Sequence, residues 1–319
     1  MTLFRKSLFW LIALLVLGGT FEMMERGSEE SKRVEAEKLR LLSFLPEAVT
    51  GFWIQDRQGS LQARAERDGE GWRLTEPLGV AGDSEAIDKI LANVVNARRD
   101  AVLFDETDPG KLEELGLNPP VIEMGLVTAH GETVLQFGDK GPTHNVAYAM
   151  FKGAPQVYRI HSDVPKEADK KISDLRDRTI LDFDPMTVQR VELDRRDELL
   201  VVIENDNARW DMLKPKRAQA DMTQVLATLY EIKNGEVKAF LDEPDPDPVQ
   251  YGLDNPRVRI TIQKPGPAKP LSLEVGKKDR SRRGYFARTG DNNSVFVVEE
   301  KLVHALLAEH TAWIDETGL

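Results

Sequence analysis

The chain is 319 residues long, enough for two ordinary domains. Its formal net charge of -11 speaks against nucleic acid as a main partner. It holds no cysteine, which excludes disulfides, thiol nucleophiles, thiolate metal sites and a lipid anchor on a modified Cys.

Arg5 and Lys6 precede an uncharged apolar run from Ser7 to Phe21, which Glu22 closes. A short basic flank before such a run is the pattern of an export signal or a signal anchor. The run is short for a span, which needs roughly 20 apolar residues, and Met23 and Met24 extend it if Glu22 snorkels to the interface. Residues 1–24 are therefore read as a signal anchor or signal peptide, with residues 7–24 engaging the membrane. The basic flank stays cytoplasmic. This places the chain in the bacterial inner membrane as a single-pass protein with its C-terminal part in the periplasm. A retained anchor is favoured over cleavage, which would leave a soluble periplasmic protein. Residues 25–40 are dense in Glu, Lys and Arg and read as a charged stalk.

An internal duplication follows. Phe44-Leu45-Pro46 is answered by Phe183-Asp184-Pro185, and Trp72-Arg73-Leu74-Thr75-Glu76-Pro77 by Trp210-Asp211-Met212-Leu213-Lys214-Pro215. Leu115-Gly116-Leu117 is answered by Tyr251-Gly252-Leu253, Phe137-Gly138 by Val275-Gly276, and Val157-Tyr158 by Val295-Phe296. The pairs keep one order and lie 136 to 139 residues apart, which chance does not supply. The first repeat is set at 41–177 and the second at 178–319.

Within the first repeat, Val49 to Gln55 and Leu61 to Arg67 alternate apolar and polar around Gly59, a hairpin pattern. A strand at Trp72 stops at Pro77. Asp83 or Ser84 caps an amphipathic helix whose apolar positions include Ile87, Ile90, Leu91, Val94 and Val95. A strand near Ala101 to Phe104 and a helical turn from Pro109 to Leu115 follow. Strands are expected near Val121 to Thr128, Thr133 to Gly138, Ala147 to Phe151 and Gln156 to Ile160, then one helix from Pro165 to about Leu175. Phe137-Gly138-Asp139-Lys140 reads as a hairpin turn with Gly at a positive φ. The second repeat follows the same plan and ends in a helix from Glu299 to Glu309. The fold class is α+β: two tandem similar domains of mostly antiparallel sheet, helices on one face, behind an N-terminal transmembrane or signal helix.

No pattern carries chemistry. His130, His144, His161, His304 and His310 do not pair at metal-ligand spacing, so no metal site is expected. No nucleophile elbow and no phosphate loop occur. The acids from Asp242 to Asp247 alternate as calcium ligands do, but prolines intervene and no closing glycine follows. Trp72 and Trp210 read as a core position that both repeats need. No catalytic residue and no cofactor is assigned. Lys277, Lys278, Arg280, Arg282 and Arg283 form a basic cluster in an expected hairpin loop, the one candidate interaction surface.

The landmarks together resemble the bacterial DUF4340 family: Trp-Arg-Leu-Thr-Glu-Pro with its following Asp-Ser cap, Gly-Leu-x-x-Pro-Pro, Phe-Gly-Asp-Lys, and Asp174 to Phe183. The resemblance covers about Leu41 to the C-terminus. It implies an envelope domain that neighbours ABC-transporter components similar to the gliding-motility type, with no established catalytic residues to carry over. Lys277-Lys278 in place of Asp139-Lys140 and Asp211 in place of Arg73 set the repeats apart. The expected function is a non-catalytic, membrane-tethered periplasmic accessory protein that contacts an ABC-transporter permease or related envelope protein. The alternative is a periplasmic ligand-binding protein or hydrolase with a site between the repeats.

Overall fold

The computed structural model describes residues 39–315 apart from 105–107, 142, 144, 197–199, 207–208, 244 and 291–293. The expected anchor, and the stalk as far as residue 38, lie outside the described residues. Among the described residues no helix is long and apolar enough to cross a membrane. The chain divides into two compact units between Asp177 and Arg178.

The first unit builds one nine-stranded sheet in the order β4-β3-β2-β1-β6-β7-β8-β9-β5. Its strands are β1 (Val49–Asp56), β2 (Leu61–Asp68), β3 (Gly71–Glu76), β4 (Val80–Ala81), β5 (Arg99–Phe104), β6 (Ile122–Thr128), β7 (Gly131–Lys140), β8 (Val146–Phe151) and β9 (Val157–His161). All pairings are antiparallel, as the expected class requires. The second unit repeats this order as β13-β12-β11-β10-β15-β16-β17-β18-β14. Its strands are β10 (Arg190–Arg195), β11 (Leu200–Asp206), β12 (Arg209–Lys214), β13 (Ala218–Gln219), β14 (Ala239–Phe240), β15 (Val258–Gln263), β16 (Leu271–Asp279), β17 (Gly284–Thr289) and β18 (Phe296–Glu299). The internal two-part repeat is thus a repeat of topology.

In each unit one long helix joins the two edge strands. Asp83 caps Ser84–Val95 by accepting from Ala86 N at 3.0 Å, and Asp221 caps Met222–Lys233 by accepting from Thr223 N at 2.8 Å. A flat sheet of this many strands would be about 38 Å wide, whereas a twelve-residue helix is only about 18 Å long. The core-facing side chains of the sheet nonetheless gather with the helix into one main cluster in each unit. In the first, Ile87, Ile90, Leu91, Val94 and Val95 pack with Phe52, Leu74, Met124, Phe137 and Ile160 from across the sheet. Each such burial is worth about 1.5–3 kcal/mol before entropy is counted. Val225, Leu229 and Ile232 play the same part among Val191, Met212, Ile260 and Val275.

The pattern reaches Leu39 and Arg40, which the sequence assigned to the stalk. Arg99 N bonds Leu39 O at 2.8 Å, and in the second unit Val237 N bonds Arg178 O at 2.8 Å.

Three expectations need correction. Phe137-Gly138-Asp139-Lys140 is no turn: it lies inside β7, where the register with β8 slips between Phe137 and Lys140. Gly138 is required by a close approach, since a Cβ there would stand 2.2 Å from Leu115 O. The helix expected from Pro165 to Leu175 is two, Asp163–Ala168 and Ile172–Leu175, because Asp174 accepts from Lys171 N at 3.0 Å and starts a new turn. The last helix is Glu300–Leu306 and stops short of Glu309. Arg195, 7 % exposed, takes the Leu306 carbonyl at 3.0 Å and also bonds Ala308 O, ending the helix from a strand far away in sequence.

Candidate functional site

The basic cluster falls on β16 and the turn 280–283 that leads into β17. It therefore divides: Lys277 and Lys278 stand on the strand, and Arg280, Arg282 and Arg283 on the turn. All five are exposed. The strand is shaped by a bulge, for the register passes from Val275↔Ala287 to Lys278↔Tyr285. Gly276 sits in that bulge, and a Cβ there would stand 2.1 Å from Tyr251 O.

Asp279 holds the turn. Its side chain is 5 % exposed and accepts from Ser281 N at 2.9 Å, the Ser281 hydroxyl at 2.6 Å and Arg282 N at 3.1 Å. The Arg282 guanidinium closes the set at 2.8 Å. The Ser281 hydroxyl bond does most to hold the Asp279 carboxyl down at about 2, with the Arg282 and backbone bonds adding to it against the cost of burial. Arg283 takes a left-handed φ of 51°, uncommon for a residue with a side chain, and its carbonyl accepts from Lys238 Nζ at 3.0 Å. Lys278 pairs with Glu300 at 2.9 Å, which raises the lysine pKa and lowers that of the glutamate.

Lys238 also lines an open cleft of about 440 Å3 beside the turn, with Arg178, Glu231, Glu236, Glu299 and Lys301. Lys301 is paired with Glu231 at 2.7 Å. Cations and carboxylates alternate there, so the cleft favours neither sign. The sequence pointed to the cations and missed Asp279 and Lys238. An Asp two residues before a Ser at a loop start is the signal for Asp279, an Asx-turn pattern. Nothing local marks Lys238.

The other residues singled out have structural posts. Trp72 and Trp210 are each 3 % exposed, within the two cores. Trp72 Nε1 donates to Asp88 at 2.9 Å, its ring meets Phe52 edge-on at 5.5 Å, and the Arg67 guanidinium lies 4.6 Å from its centroid. In the acidic loop, Asp247 caps a helical turn by accepting from Val249 N at 3.0 Å. Glu243 accepts from the Tyr251 hydroxyl at 2.6 Å, which with burial pushes that phenol up to about 12. His161 lies 3.3 Å from the Asp163 carboxylate. Among the described residues no group of three or more His, Asp or Glu is arranged to hold a metal ion.

The equivalent tryptophans and the shared strand order mark one repeated module, and one family's pattern begins at each tryptophan. It matches residues 72–256 and again 210–319. The chain belongs to the DUF4340 family. DUF4340 is described as a domain of unknown function. The first match crosses from the first unit into the second, so the family's unit of resemblance is offset from the folding unit. No curated protein matches this DUF4340 chain, and no solved structure does.

Proposed function

We propose that this DUF4340 chain is a non-catalytic accessory protein of the bacterial inner membrane. Residues 7–24 tether it, the two repeats stand in the periplasm, and they make protein contacts with a permease or related subunit of an ABC-transporter-type complex. The observation that carries this reading is the basic-flanked apolar run from Ser7 to Phe21 ahead of a duplicated fold. Acidic side chains that hold structural posts support it. Asp83, Asp221 and Asp247 cap helices, Asp279 builds a turn, and Asp88 serves a buried indole. The transporter enters through the family resemblance and not through geometry.

Affinity capture of the full-length chain from detergent-solubilised native membranes tests this. Permease or substrate-binding subunits should co-purify, and protease added to spheroplasts should degrade both repeats. Repeated capture of nothing, or repeats protected from protease until the membrane is opened, would overturn the reading.

A further inference from the structure

The second repeat carries positive charge that its own fold does not use. Of the five cations, Lys278 is engaged by Glu300 and Arg282 by Asp279. The side chains of Lys277, Arg280 and Arg283 have no hydrogen bond or ion pair among the described residues. They stand within seven residues of one another in a chain of net charge -11. The equivalent stretch of the first repeat has nothing comparable. That stretch, Asp139 to Asn145, has Lys140 as its one Lys or Arg, and Asp139 in the place of Lys277 is paired with Arg57 at 3.0 Å.

The turn is also fixed in advance. Four bonds to Asp279, the left-handed Arg283 and the Lys238 clasp hold the backbone from both sides. A ligand therefore meets a pre-ordered loop, which lowers the entropic cost of binding.

We propose that Lys277, Arg280 and Arg283 form a docking point for a carboxylate-rich segment of a partner protein. This rests on the protein-contact reading and gives the partner its chemistry. Guanidinium forks pair bidentately with carboxylates, and two of the three cations are arginines. A flat anionic bilayer fits less well. It would also meet Glu299 and Glu300 beside the turn, and a strongly acidic chain is repelled from such a surface. A narrow acidic segment touches the tip alone.

The test uses the full-length chain in uncharged detergent and a fluorescent decaglutamate peptide, read by anisotropy at low and physiological salt. The variant combines Lys277→Ser, Arg280→Ser and Arg283→Asn, the last because asparagine tolerates a left-handed backbone. Binding should weaken about tenfold in the variant, roughly the sum of three modest exposed pairs. It should also weaken with salt and survive Lys140→Ser. An unchanged unfolding midpoint in the variant ties the loss to the cations. No peptide binding by the wild type, or equal binding by the variant, overturns the proposal. So does retention on anionic phospholipid vesicles, with no peptide binding, that depends on the same three residues. Permease capture that persists beside a failed peptide assay removes this turn alone; failure of both removes the protein-contact reading as well.

Discussion

Trp72 and Trp210 occupy the same strand and the same depth in the two repeats, while Trp53 and Glu192 share a register position and little else. Trp53 covers Gly125 on the face of the sheet away from the helix, and its indole donates to Glu132 at 2.5 Å. Glu192 in that place is paired with Arg190 at 2.7 Å. The same contrast recurs one strand over. Glu123 with Gln136 at 2.7 Å, joined by Lys152 at 3.0 Å, in the first repeat is replaced at the same two register positions by Arg259 with Glu274 in the second, where Arg288 joins in place of Met150. Helix-facing positions stayed apolar, with Phe52 and Phe137 answered by Val191 and Val275, because they fill the core. Outward positions were free to change sign. The difference teaches that the fold is shared and that any function belonging to one repeat alone lies on its outer face and loops.

The largest expected effects come from breaking what the repeats share. Trp72→Ala should cost about 4 kcal/mol and Trp210→Ala about 3 kcal/mol, since Trp72 also loses its bond to Asp88 and its ring contact with Phe52. Hydrogen exchange, which reports each repeat separately, should show the loss confined to the mutated unit. Equal spread over both units would contradict independent cores. Gly138→Ala and Gly276→Ala come next, each costing about 3 kcal/mol, because the new methyl meets the Leu115 or Tyr251 carbonyl. Denaturant midpoints should fall alike for the two; a silent Gly276→Ala would mean that the bulge yields easily.

The smallest effect sharpens the contrast. Asp279 has Gly141 as its counterpart, so only the second repeat carries this acid. Its folded pKa of about 2 lies below the unfolded value near 3.8. The stabilisation is therefore full above about pH 4 and is lost as pH falls through about 2. Asp279→Asn should cost about 2 kcal/mol at neutral pH, and the gap to wild type should close across that acid window. Chemical denaturation at a series of pH values measures it; a gap that stays constant with pH would show that Asp279 acts by shape and not by charge.

Much of this fold was legible. Alternation gave the β1–β2 hairpin, and the Asp caps gave the start of each long helix, because both signals are local. The bulge at Gly138 and Gly276 was read as a turn because a glycine needed for a close approach looks like one needed for a positive φ. The break at Lys171 and the stop at Leu306 were missed for different reasons. The first depends on a single side-chain bond from Asp174, and the second on Arg195, more than a hundred residues away in sequence. The basic turn was visible as charge. Which of its cations are already engaged was not, because Glu300 and the burial of Asp279 enter only through the fold.

The most direct test places a photo-crosslinking residue at position 280 of the full-length chain in intact membranes, and at Thr143, within the equivalent stretch of the first repeat, in parallel. Position 280 should give a defined adduct whose mapped peptide, from a second envelope protein, is rich in Asp and Glu, and position 143 should give none. Equal adducts from both positions, or none from position 280, would contradict a contact surface confined to the second repeat.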